Sequence, residues 1–248
     1  MVEKGDEYLL NADRLRGATL KPSVSVVIPA FNEEKNIDDV LVRTYKAMES
    51  CSHPYEIILV DDGSCDRTGE LACRHKVIVV RNERNEGKGF AFKRGFTHAQ
   101  GDIVVTMDAD GSHDPDDIPR LILPILKGAN VVLGTRFDTR DGKQSTKKLH
   151  VLGNNLINLT ILLITGKRVT DSQTGFRAFR RNVLEQIEIT SSGYQVESEL
   201  TMKALRNGNI VEEVPIKIMK RKNGNSHVNP LVDGLRIFRT IIRTGLTE

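Results

Sequence analysis

Three short apolar runs in this chain end in acidic residues, and segments with helical spacing follow them. Ser23 to Pro29 (SVSVVIP) leads to Asn32-Glu33-Glu34, and Tyr55 to Val60 ends in Asp61-Asp62-Gly63-Ser64. Val104, Val105 and Met107 run into GSHDPDD through Asp108 and Asp110. Between the first two runs, Ile37, Val40, Leu41 and Tyr45 recur at helical spacing; Thr68 to His75 suits another helix, and Val77 to Val80 another strand. Strands alternating with helices imply an α/β fold, with a mostly parallel sheet covered on both faces. Ligands of such sheets sit beyond the carboxyl ends of the strands, which is where these acids fall.

Alternate residues of an extended chain share a face, so Asp108 and Asp110 can point the same way. Paired carboxylates suit a hard divalent cation such as Mg²⁺ or Mn²⁺, which keeps positions open for further oxygens. A helix-loop-helix calcium site is excluded, because counting from Asp108 puts His113 and Pro119 where glycine and glutamate are needed. Asp114-Pro115 reads as a helix cap with a first-turn proline, and Asp116 and Asp117 as polar turn residues. Glu33 suits either a site or the dipole at a helix start. Asp61 can accept the ring N–H of uracil or guanine, and Asp62 can shape the turn. Gly87-Lys88-Gly89 opens a helix, where Lys88 is either a phosphate contact or a solvated lysine; the P-loop spacing is absent.

With 248 residues, 39% of them hydrophobic, one sizeable core is expected. A formal charge of +3 gives no argument for nucleic acid, and Cys51, Cys65 and Cys73 have no metal-ligand spacing. Residues 1–22 read as a charged extension without the apolar stretch of a signal peptide. DTRDGKQSTKKLH reads as a mobile loop over a site. Val151 to Ile164 (VLGNNLINLTILLI) is shorter than the roughly 20 residues that span a bilayer. Core burial is its commoner use, and a place in the membrane interface the alternative. A turn at Thr174-Gly175 precedes a strand at Phe176 to Phe179. YQVESELTMKALRNG reads as a helix whose Glu197 and Glu199 are either helix-stabilising or site acids, and Ile210 to Met219 as a strand. After KRKNGNSH, residues 229–248 form a basic amphipathic helix with Leu231, Leu235, Phe238 and Ile242 in a stripe and Arg236, Arg239 and Arg243 elsewhere.

The motifs VVIPAFNEE, ILVDDGSCDRT, RNEGKG, MDADGSHDPDD, VVLGTRF, DSQTGFRAF, YQVESEL and RKNGNSH, in this order, resemble glycosyltransferase family 2. Within that family they resemble the dolichyl-phosphate mannose synthase-like branch of polyprenyl-phosphate sugar synthases. The resemblance implies a GT-A catalytic domain over 23–228, a nucleotide-sugar donor, Mg²⁺ or Mn²⁺ as cofactor, and inversion at the anomeric carbon. It implies that Pro29, Phe31, Glu33, Asp61, Lys88 and Asp108 bind the nucleotide, with Asp61 reading the base, and that Asp108 and Asp110 hold the metal. Asp110, Arg136 and Arg221 become the catalytic set. Arg136 meets the acceptor phosphate with help from Lys147 and Lys148, and Arg221 and Ser226 clamp the donor phosphates. Ser112 stands where mannose synthases often have glutamine, and His227 where lysine is usual, which leaves GDP-mannose, UDP-hexoses and UDP-HexNAc all open as donors. The implied acceptor is dolichyl or another polyprenyl phosphate at the cytoplasmic membrane face, where the chain would sit peripherally. The alternatives are a sugar hydroxyl as acceptor, with Glu197 as candidate base, and a catalytically silent nucleotide-sugar-binding protein.

Overall fold

The computed structural model describes residues 21–136, 148–221, 223 and 230–247. Along the chain run β1 (Val24–Ala30), α1 (Ile37–Ser50), β2 (Tyr55–Asp61), α2 (Thr68–Ala72), β3 (Ile78–Arg81), α3 (Lys88–His98) and β4 (Ile103–Thr106). A 3-10 turn (Pro115–Asp117) leads into α4 (Ile118–Leu126), followed by β5 (Val131–Thr135), α5 (Lys148–Thr165), β6 (Arg177–Arg180) and α6 (Arg181–Glu185). Then come α7 (Val196–Arg206), β7 (Val211–Pro215) and α8 (Pro230–Thr247).

The strands form one seven-stranded sheet in the order β3-β2-β1-β4-β6-β5-β7, parallel except for β6. The central strands are apolar almost throughout because both faces are covered. Val24, Val26 and Ile28 of β1 pack with Ile37, Leu41 and Met48 of α1 on one face. On the other, Val27 packs with Ile58, Ala91 and Phe92. Each such side chain, fully withdrawn from water, contributes about 1.5–3 kcal/mol before entropy is counted.

Two features of this topology make the site. The strand order reverses at β1, which lies between β2 and β4, so the loops after these three strands open into one crevice. Antiparallel β6 then delivers its amino-terminal turn to the same end of the sheet, where Thr106 Oγ1 donates to Gly175 O (2.8 Å).

Two sequence readings shift. The expected strand over 210–219 stops at Pro215, and beyond it only His113 and Ile218 form an isolated antiparallel bridge. Core burial describes only one side of the apolar stretch: α5 buries Asn154, Ile157, Asn158 and Ile161 but exposes Leu156, Leu159 and Leu163, the last 77% accessible. No helix among the described residues is long and apolar enough to cross a membrane.

Candidate active site

The loops after β1 and β2 are tied together before any ligand is considered. Asn32 N–H donates to Ser64 Oγ (3.0 Å), Cys65 N–H to Asn32 Oδ1 (2.9 Å), and Glu33 N–H to Thr68 Oγ1 (2.8 Å). Pro29 and Phe31, both partly exposed, sit where β1 gives way to this loop. Glu33 is buried. Its Oε2 accepts from Asn36 Nδ2 (2.6 Å) and its Oε1 from Arg221 Nη2 (2.7 Å).

Arg221, nearly two hundred residues away in sequence, also brings Nη1 to 3.7 Å from Asp110 Oδ2. Its approach is fixed by three anchors. Met219 N–H donates to Ser112 O (2.9 Å), Lys217 N–H to Asp117 Oδ2 (2.7 Å), and Ile216 N–H to Thr135 O (3.1 Å). The strand-end acid Glu33, the second acid of the D-x-D and the expected phosphate clamp therefore share one wall. Ser226, Lys147 and the side chain of Lys148 lie outside the described residues, as do residues 1–20.

Asp61 ends β2 fully buried. Oδ1 accepts from Ser64 N–H (2.9 Å), while Oδ2 accepts no hydrogen bond among the described residues and lies 3.4 Å from Arg81 Nε. A Cβ at position 69 would collide with that oxygen, so Gly69 leaves it room. Asp62 does more than shape a turn. Its carboxylate accepts from Asn82 Nδ2 (2.6 Å), Glu86 N–H (3.0 Å) and Gly87 N–H (2.8 Å), which fixes the loop that launches α3 and Lys88.

Lys88 points inward. Its Nζ is 2.6 Å from Asp108 Oδ1 and 2.6 Å from Glu197 Oε1, and lies near the rings of Phe92 and Tyr194. Burial works against the ammonium, but the two carboxylates overcome it and raise its pKa. Burial would also raise the Asp108 carboxyl, yet Lys88 and then His113 hold it at about 2. A Cβ at position 175 would sit 2.6 Å from Asp108 Oδ2, so the close approach of this carboxylate requires Gly175. His113 stacks on Phe176 (5.0 Å between centroids), and its Nδ1 accepts from Asp108 N–H (3.2 Å). Burial pushes its pKa down.

Arg136, at the end of β5, is gripped by Asp171: Nε to Oδ2 is 2.7 Å, Nη2 to Oδ1 2.8 Å, and its N–H reaches Oδ2 at 3.1 Å. Asp171 is fully buried, and Glu213 on β7 holds its loop by accepting from Thr170 N–H (2.8 Å) and Asp171 N–H (3.0 Å). Arg177 is fully buried too and donates to Ser172 O, Thr174 O and Glu197 O, each at 2.7 Å. It thereby joins the loop that orients Arg136 to the helix that carries Glu197. Burial pushes its pKa down to about 10, so it stays charged at neutrality.

The sequence reading assigned no role to Asp171 or Arg177. Both lie in the DSQTGFRAF motif, and a charged residue on each side of a Thr-Gly turn was the available signal. Glu197, which sequence alone leaves between a helix-stabilising and a site role, is brought into the site by its bond to Lys88.

The donor set suits a divalent cation. Asp108 and Asp110 offer hard oxygens at one strand end, and among the described residues no three His, Cys, Asp or Glu side chains converge. Such an ion would need water and ligand oxygens to fill its shell, as Mg²⁺ commonly does.

Three comparisons bear on the whole. The glycosyl transferase family 2 model matches residues 25–188. An uncharacterised protein of Methanocaldococcus jannaschii is 34% identical over 228 residues, covering 90% of this chain and 92% of that one. The dolichol-phosphate mannosyltransferase of Pyrococcus furiosus is 35% identical over 82% of this chain. The undecaprenyl-phosphate 4-deoxy-4-formamido-L-arabinose transferase of Edwardsiella ictaluri is 34% identical, also over 82%. The match spans only 58% and 62% of those two relatives. Among solved structures, glucosyl-3-phosphoglycerate synthase from Mycobacterium tuberculosis, in complex with Mn²⁺, UDP and phosphoglyceric acid, superposes with a TM-score of 0.74. At 23% identity over 95% of this chain and 83% of that one, it supports the GT-A fold alone. With the crevice, the D-x-D and the matched model in agreement, this chain belongs to glycosyltransferase family 2.

Proposed function

We propose that the protein transfers a sugar, with inversion, from a nucleotide-sugar to the phosphate of dolichol or another polyprenol. The observation that carries this reading is the Asp171-oriented guanidinium of Arg136 beside the D-x-D crevice, with Glu197, the nearby acid, drawn onto Lys88. A polyprenyl phosphate oxygen is already anionic near neutral pH and needs no base. It attacks the anomeric carbon as the bond to the donor diphosphate breaks, and the bonding pair leaves with the nucleoside diphosphate. The work left to the protein is positioning and charge neutralisation.

In this account Pro29, Phe31 and Glu33 border the nucleoside, and Asp61 accepts the base N–H on Oδ2 once Arg81, 62% exposed, swings aside. Lys88 holds Asp108 in place at the diphosphate end, and Arg221 offsets the charge of the departing diphosphate, with the Ser226 hydroxyl as a further hydrogen-bond donor of the phosphate clamp. Arg136 holds the acceptor phosphate, aided by Lys147 and Lys148. Asp108 and Asp110 would hold Mg²⁺ or Mn²⁺, which when bound offsets charge on the leaving group. GDP-mannose, a UDP-hexose and UDP-HexNAc all fit as donors.

A lipid acceptor calls for a membrane seat. Leu156, Leu159 and Leu163 on α5 and Val232, Leu235 and Phe238 on α8 are exposed, with exposed Arg236, Arg239 and Arg243 on α8. Apolar and basic residues side by side suit an anionic membrane surface, and we assign the protein to the cytoplasmic face. Support for this lipid reading comes also from the two relatives named for polyprenyl-phosphate chemistry.

One observation favours a second reading. Glu197 Oε2 is buried and accepts no hydrogen bond among the described residues, so it could take the proton of a sugar hydroxyl acting as acceptor. Incubation with labelled GDP- and UDP-sugars and polyprenyl phosphate, with and without Mg²⁺ or Mn²⁺, separates the two. Metal-dependent label in the lipid fraction is the expected result. Binding of a nucleotide-sugar without lipid labelling shifts the assignment to a hydroxyl acceptor.

A further inference from the structure

The buried side of α5 carries two asparagines at helical spacing, an unusual burden for a helix face packed among isoleucines. Asn158 Nδ2 donates to Thr170 O (2.7 Å), and Asn158 Oδ1 accepts from Ser172 Oγ (2.6 Å) and Ser172 N–H (3.3 Å). Asn154 Nδ2 donates to the same Thr170 O (2.9 Å), although its Oδ1 is buried with no partner among the described residues. Residues 170 and 172 flank Asp171, whose carboxylate grips Arg136 on three donors. A buried amide is costly unless its bonds are made, and an apolar residue of similar size would pack here without that cost. What the amides secure is the backbone on both sides of Asp171.

We propose that Asn158, assisted by Asn154, is a positioning residue for Arg136, acting through the Thr170–Ser172 loop. As a role in acceptor use, this rests on the lipid-phosphate reading above; as a statement about Arg136 geometry, it does not. The opposite side of α5 carries Leu156, Leu159 and Leu163. One helix thus joins the surface proposed to meet the membrane to the cation proposed to meet the acceptor phosphate, and two amide side chains make the link.

The test uses the full chain with Asn158→Leu and, because the first variant can fail to fold, Asn154→Leu, which also removes the partnerless oxygen. Two quantities are read. The first is the Arg136 Nε–H signal in proton–nitrogen spectra, assigned by its loss in Arg136→Lys. The second is kcat/KM for polyprenyl phosphate in anionic vesicles, beside calorimetric binding of UDP and GDP with Mg²⁺. In Asn158→Leu we expect the signal to shift or broaden and acceptor kcat/KM to fall about 10- to 100-fold, with nucleotide binding unchanged. Asn154→Leu should move both in the same direction by a smaller factor. An unchanged Arg136 signal, or an equal loss of acceptor use and nucleotide binding, overturns the proposal. If the wild type transfers nothing to polyprenyl phosphate while Asn158→Leu still perturbs the signal, the positioning role stands and the lipid-phosphate reading falls.

Discussion

Lys88 Nζ bridges Asp108 and Glu197 at 2.6 Å each, so the first acid of the D-x-D is neutralised from within the protein. Removing the ammonium would leave the buried Glu197 carboxylate facing the partly exposed Asp108 carboxylate. Lys88→Met should therefore destabilise the fold by about 1–3 kcal/mol in chemical denaturation, less than for a fully buried pair because Lys88 and Asp108 keep some contact with water. Lys88→Met combined with Glu197→Gln should recover part of that loss. Additive losses in the double variant would mean that the two groups do not interact.

Asp110 stands apart from this pair, with Oδ1 accepting from Ser112 N–H (2.9 Å) and Oδ2 loosely opposite Arg221. Asp110→Asn should keep the fold and its melting temperature but weaken Mn²⁺ binding in the presence of nucleoside diphosphate, read by electron paramagnetic resonance. Unchanged Mn²⁺ affinity would remove Asp110 from the metal site.

Asp171 differs from Asp108 and Asp110 because its carboxylate grips Arg136 on three donors. In Asp171→Asn, one of the acceptors for the guanidinium fork becomes an amide donor. Use of polyprenyl phosphate should fall about 10- to 100-fold, a range typical of lost outer-shell partners, with UDP and GDP binding preserved. Equal loss of both would place Arg136 on the donor.

Glu199 supplies a pH dependence away from the chemistry. Fully buried, it accepts from Thr190 N–H (2.8 Å), Thr190 Oγ1 (2.7 Å) and Ser191 N–H (2.8 Å), with Lys203 Nζ at 3.2 Å. Burial alone would raise its pKa, but the bonds from Ser191 and Thr190 outweigh it and bring it below the ordinary 4.5. A depressed carboxyl contributes stability that is fully present above its unfolded value and lost as pH falls through its folded one. Glu199→Gln should cost about 3 kcal/mol at pH 7 and flatten the decline of stability below about pH 4.5, read from urea midpoints across pH. A decline as steep as that of the wild type would exclude Glu199 as its source.

What could be read from the sequence followed the range of the interactions. Apolar runs and strand-end acids are local, so β1, β2 and β4 with Glu33, Asp61, Asp108 and Asp110 were in reach. The partners were not, because Arg221 meets Glu33, Lys88 meets Glu197, and Arg136 meets Asp171 only after the sheet is assembled. The antiparallel insertion of β6 carries no periodicity that distinguishes it from a parallel neighbour, yet it brings Gly175 against Asp108. The VLGNNLINLTILLI stretch left core burial and a membrane-interface place both open, and its two faces divide between burial and exposure. What its hydrophobicity does not show is the division: Ile157, Ile161 and the two asparagines face inward, where Thr170 and Ser172 bond the amides, and the leucines face out.

If the nucleophile is a phosphate oxygen, the linkage in the product must show it. Phosphorus and proton NMR of the labelled lipid should show a sugar-phosphate diester with the anomeric configuration opposite to that of the donor. An unmodified phosphate monoester with the sugar attached to a hydroxyl, or a retained anomeric configuration, would contradict the account.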